Sequence, residues 1–147
     1  MAMDTSVVVS IIAVASGVIV ASLSYHLTKM KEREADWRKY KYEQYKEFTV
    51  ALSGTVGSDS TDEGQRTYAK ACNTLNLIGT KGVLDALRAF RDETGPSNPQ
   101  KSLVKHDALF SRLIWEIRKD LKIPGTPKPD KLSACLWCSG TTGTPKK

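Results

Sequence analysis

From Thr5 to Thr28 the chain carries no Asp, Glu, Lys or Arg, and the centre of that stretch, VVVSIIAVASGVIVASLSYHL from Val7 to Leu27, is 21 residues long. About 20 apolar residues in a helix cross the ~30 Å hydrocarbon layer of a bilayer. The pattern therefore predicts a transmembrane helix over 7–27 and an anchor over 1–28. A cleaved secretory leader would place basic residues before a shorter apolar stretch and end on a small-residue cleavage site. Here Asp4 precedes the stretch and no Lys or Arg occurs before Lys29, so the anchor is the better reading. The side facing the cytoplasm collects basic residues. Lys29, Lys31, Arg33, Arg38, Lys39 and Lys41 follow the span, which predicts a single-pass inner-membrane protein with its N-terminus outside and its C-terminal domain cytoplasmic.

Beyond the span the pattern turns amphipathic without an intervening Gly or Pro, so the membrane helix is expected to continue into the next segment. At 100° per residue, Trp37, Tyr40, Tyr45, Phe48, Ala51 and Leu52 share about half of the circumference, with Tyr42 at its border. Gly54 and Gly57 end this helix through their backbone entropy cost. Ser60 and Glu63 have the spacing of a capping box and start a second helix reaching about Leu77, with Tyr68, Ala71, Cys72, Leu75 and Ile78 on one face. Gly79 closes it. Thr80 is placed to cap a third, with Val83, Leu84, Leu87 and Phe90 as its apolar stripe. After the break Gly95-Pro96-Ser97-Asn98-Pro99, a fourth helix from about Lys101 to Leu121 places Leu103, Phe110, Leu113, Ile114, Ile117 and Leu121 on one arc. Ile123-Pro124-Gly125 stops it. The expected fold is all-α, an N-terminal transmembrane helix continuing into a small cytoplasmic helical bundle over 29–123. Residues 124–147 read as a flexible basic tail in which Leu132-Ser-Ala-Cys-Leu-Trp-Cys138 is an apolar island that docks on the bundle or meets another surface.

Composition sharpens this picture. The 147 residues are 40% hydrophobic with a formal charge of +6, averages that describe an ordinary soluble domain until the apolar residues are seen to crowd into the first fifth. About 90 residues are then left for a core, too few for a multi-domain enzyme and near the size at which burial is marginal. Residues 95–123 carry +3 and the tail +3, while 53–94 carry −1, so the fourth helix and tail are placed to lean on anionic lipid. Nucleic acid is an unfavoured partner despite the basic pI, because topology accounts for part of the charge and no recognition motif is present.

Within the span, Ser10, Ala13, Gly17, Ala21 and Ser24 recur on one face, the spacing of small-xxx-small helix pairs, which makes a homodimer through the membrane helix a candidate association. Cys135 and Cys138 form a C-x-x-C. As a metal site it supplies two ligands, and Cys72 and His106 are the weak candidates to complete a set. Cys72 lies on an apolar face, where cysteine behaves as a small hydrophobe. The three cysteines suit a reducing compartment. His106 falls in the apolar arc of the fourth helix beside Asp107, and a core histidine bonded to Asn73 or Asn76 outweighs a general acid or base, since no second catalytic element accompanies it. No catalytic constellation, no metal and no cofactor is expected.

The stretch KHDALFSRLIWEIRKDLKI, Lys105 to Ile123, with QRTYAKACNTLNLIGTKGVLDALRAFRDE, Gln65 to Glu93, and the anchor, resembles a group of small bacterial single-pass membrane-anchored proteins whose C-terminal helix carries His-Asp and then Ile-Arg-x-Asp-Leu. The resemblance implies that His106, Asp107, Arg118 and Asp120 act as a unit, and it implies no activity. The expected function is that of a protein-interaction or scaffold module with an unidentified protein partner. The alternative is a small enzyme or ligand-binding module built around His106.

Overall fold

A computed structural model describes residues 4–139. It contains four α-helices, α1 Thr5–Ser53, α2 Asp62–Ile78, α3 Lys81–Thr94 and α4 Leu103–Asp120, with single 3-10 turns at Gly57–Asp59 and Pro129–Lys131 and no strand among the described residues. Two compact units divide between Lys39 and Tyr40.

In the first unit α1 is long and apolar enough to cross a membrane, and none of its most apolar 18-residue window is buried in the protein. Val9, Val14, Val18, Ile19, Val20 and Leu23 all stand open. The hydroxyls of Ser10 and Ser16 are satisfied within the helix, donating to Ser6 O and Ile12 O at 2.8 Å.

In the second unit the end of α1 contributes Tyr45, Phe48 and Leu52 to a core completed by Cys72, Leu75 and Ile78 of α2, Val83, Leu87 and Phe90 of α3, and Phe110, Leu113 and Ile117 of α4. Phe48, Leu75, Val83 and Leu113 are fully enclosed, and α3 and α4 pair most closely. The aromatic stripe expected on α1 is shorter in the structure. Trp37, Tyr40 and Tyr42 are about half exposed, because the core begins at Tyr45. Leu103 is also exposed, since α4 starts there and meets the buried core about two turns later, at Phe110.

Two helix starts differ in detail from the sequence reading. Thr61, not Ser60, caps α2, its hydroxyl accepting from Gly64 N at 2.9 Å. The register is fixed by close backbone approach: a Cβ on Gly64 would lie 2.8 Å from the Gly54 carbonyl carbon, so α2 begins where two glycines meet. Thr80 sits at the N-cap of α3 without a side-chain cap bond. α4 ends in a Schellman arrangement, Lys122 N donating to Lys119 O and Ile123 N to Arg118 O, both at 3.0 Å. Lys122 occupies the left-handed position at φ 53°, where glycine is usual.

The stretch expected as a flexible tail is, through Ser139, held against the bundle. Trp115 Nε1 donates to Pro127 O at 2.8 Å, and Ser111 Oγ both donates to Ala134 O and accepts from Ala134 N. Ala134 and Leu136 pack on the core, so the apolar island docks on the bundle. Ser139 donates to the Asp59 carboxylate through N, at 2.7 Å, and through Oγ. A Cβ on Gly57, itself at φ 53°, would meet Cys138 Sγ at 3.2 Å.

Candidate functional site

Three charged side chains, Lys41, Glu93 and Glu116, are buried. Lys41 donates from Nζ to both oxygens of Asp120 at 2.9 Å, and the Tyr45 hydroxyl donates to Asp120 Oδ2. Burial, followed by the bonded Asp120 carboxylate, pushes the Tyr45 phenol far above its ordinary range, so it remains a donor. Glu93 accepts from Ser102 N at 2.8 Å and pairs with Lys105 Nζ at 2.6 Å, while its carbonyl accepts from Asn98 Nδ2 at 3.0 Å. The Lys105 ammonium, with the Ser102 amide, holds the Glu93 carboxyl below the usual carboxylate range. Glu93 thereby fixes the loop between α3 and α4. Glu116 pairs with Arg112 at 2.5 Å, and a Cβ on Gly82 would lie 2.9 Å from its carboxyl carbon, so Gly82 opens the space the carboxylate needs at the start of α3. The signal for these residues was position: Lys41, Tyr45, Phe48 and Leu52 follow one helical stripe, as do Phe90 with Glu93 and Leu113 with Glu116.

Of the four residues that the resemblance groups together, His106 and Asp107 meet each other, and Asp120 lies elsewhere. His106 Nδ1 and Asp107 Oδ1 are 2.9 Å apart, and the imidazole packs on Phe90 with ring centroids 5.2 Å apart. Asn73 and Asn76 are exposed, so the ring finds its partner next to it in sequence instead. Asp120 lies 14 residues further along α4, about 21 Å at 1.5 Å per residue. The Arg118 Nε is buried without a hydrogen-bond partner among the described residues.

Two cavities flank Tyr68. One, of about 270 Å³, is lined by His106 together with Leu52, Gln65, Phe90, Thr94 and Leu136, the last contributed by the docked tail. The other, of about 510 Å³, lies between α2, α3 and the loop after α3, and includes Cys72, Arg88 and Arg91. No family model, curated protein or solved structure matches the chain. The arrangement itself is therefore the ground for any functional reading.

Of the weak metal candidates, Cys72 is buried and Cys135 and Cys138 are exposed, all as free thiols. Among the described residues no three His, Cys, Asp or Glu side chains group as a metal site would require. Burial pushes the Cys72 thiol up, which makes it less reactive. In the span, Ser10, Ala13, Gly17, Ala21 and Ser24 are all exposed.

Proposed function

We propose that this chain is a single-pass inner-membrane protein, N-terminus outside, whose cytoplasmic bundle serves as a protein-interaction or scaffold module. The observation that carries the reading is the uncharged stretch of α1 from Thr5 to Thr28, exposed at every position whose burial is described and followed at once by Lys29, Lys31 and Arg33. Its apolar surface demands a non-aqueous neighbour, and its flanking charges favour one orientation. The buried ionic groups of the bundle are spent on ties between its own segments, Lys41 with Asp120 and Glu93 with the loop before α4, which suits a scaffold better than a reaction centre. Self-association through the Ser10, Ala13, Gly17, Ala21 and Ser24 face belongs to the same proposal, as does contact of the basic α4 and tail with anionic lipid.

The test is fractionation of cells followed by affinity capture from detergent-solubilised membranes. The full chain stays in the membrane pellet through alkaline carbonate, and a chain lacking residues 5–28 is soluble. A stoichiometric partner, or a second copy, co-purifies with the full chain. A carbonate-soluble full chain, or a strictly monomeric one with no partner, contradicts the proposal.

A second reading has one observation in its favour. His106 lines a cavity, so a ligand-binding module built around it is the alternative. The ring's contact with Asp107 and Phe90 gives it a structural task in the same place.

A further inference from the structure

The larger of the two cavities beside Tyr68 holds an excess of unpaired positive charge. Arg88 and Arg91 both line it and sit three residues apart on α3, adjacent on the helix surface where like charges oppose each other. Neither forms an ion pair within 4.0 Å among the described residues. Asp92 is the one carboxylate in the lining, which leaves the wall net positive. Asp85, on the preceding turn, is held mainly by Lys81 at 2.5 Å and feels Arg88 only at longer range.

The uncharged part of the wall adds a donor. The Tyr68 hydroxyl oxygen is buried and makes no hydrogen bond of ordinary geometry among the described residues. Its neighbour is the Cys72 thiol, a weak acceptor, and burial pushes the phenol up so that it keeps its proton. A buried hydroxyl matched only by a thiol gains from a stronger acceptor such as an oxyanion. The rim is also preformed. Gly95 N donates to Arg91 O at 2.8 Å and Asn98 N to Gly95 O at 3.1 Å, while buried Glu93 fixes the end of the loop through Ser102 and Asn98. A fixed rim reduces the ordering cost of binding, and about 510 Å³ suits a small molecule.

We propose that this cavity binds the oxyanion of a small organic molecule, a carboxylate or a phosphate ester, with Arg88 and Arg91 as charge partners and Tyr68 as hydroxyl donor. Guanidinium groups match both oxyanions through paired N–H donors. The site stands apart from the membrane reading and does not need it.

The test is calorimetric titration and thermal melting of the full chain in neutral detergent, with inorganic phosphate and with succinate, each against sodium chloride at matched ionic strength. Phosphate, succinate or both bind saturably and raise the melting temperature beyond chloride. A response to phosphate alone identifies the ligand as a phosphate ester, and one to succinate alone as a carboxylate. The double variant R88Q/R91Q, at two exposed positions, weakens binding about ten-fold or more, Y68F weakens it less, and R66Q leaves it unchanged. Should the double variant not fold, R91K keeps the charge and loses the fork, and weakened binding is again expected. No effect beyond chloride, or affinity unchanged in the folded arginine variants, overturns the proposal and marks any phosphate response as adventitious.

Discussion

The Asp120 carboxylate accepts from both Lys41 Nζ and the Tyr45 hydroxyl, so the last residue of α4 is tied to two positions one turn apart on α1. The side chains of Lys41 and Asp120 are only 11% and 6% exposed, which makes this a buried pair. Breaking it from one side takes this partner from a buried charge, at a cost of about 3 kcal/mol. Asp120→Ala is therefore expected to lower the melting temperature of the full chain in neutral detergent substantially. Lys41→Met combined with Asp120→Leu is expected to lose less than the sum of its parts, and strict additivity in that cycle would remove the coupling.

Gly64→Ala reverses the usual helix rule. In a free helix the change stabilises by about 1 kcal/mol. Here the new Cβ meets the backbone of Gly54, which cannot rotate away, so α1 and α2 must separate. The expected result is a loss of about 2 kcal/mol, read as a lower melting temperature. A gain in stability would show that the two glycines are not in contact.

Lys122→Gly has the opposite sign. The left-handed cap after α4 costs a non-glycine residue about 1 kcal/mol, and glycine removes most of that. The variant is expected to melt at a higher temperature with the fold unchanged.

Acid is expected to loosen the Ser139 end of the tail, while the contacts at Pro127 and Ala134 persist. The two Ser139 bonds hold the Asp59 carboxyl below its ordinary value of 3.8. A carboxyl lowered in the folded state contributes fully above its unfolded pKa, and the contribution fades as pH falls through the folded one. The protection factor of the Ser139 amide, which removes the intrinsic slowing of exchange in acid, should therefore hold at pH 5 and fall below pH 4, and Asp59→Asn should give the low value at neutral pH. Exchange that ignores Asp59 would count against the clasp.

Much of this structure was legible in the chain. Helix order, the breaks at Gly54 and Gly95, and the buried stripes of α2, α3 and α4 follow from apolar periodicity, because burial acts on each side chain according to its place on the helix. Trp37 and Tyr40 misled because periodicity marks a face and not how far along a helix the neighbours extend. The buried Lys41, Glu93 and Glu116 were hidden by a rule about residue type, since charges enter a core only with partners; those of Lys41 and Glu93 come from other segments, and Glu116, paired with Arg112 on its own helix, is enclosed by α3 at Gly82. The cavity beside Tyr68 was invisible for the same reason. Arg88 and Arg91 read as ordinary surface residues until α2 and the loop at Gly95 surround them.

The central claim is that α1 crosses the membrane with the bundle inside. Cys135 and Cys138 are exposed and Cys72 is buried, so the native thiols are reporters of side. A membrane-impermeant maleimide applied to intact cells is expected to leave the native protein unmodified and to label it after lysis. In a C135S/C138S background, D4C is expected to be labelled without lysis. Labelling of the native cysteines in intact cells, with D4C protected, would contradict the account.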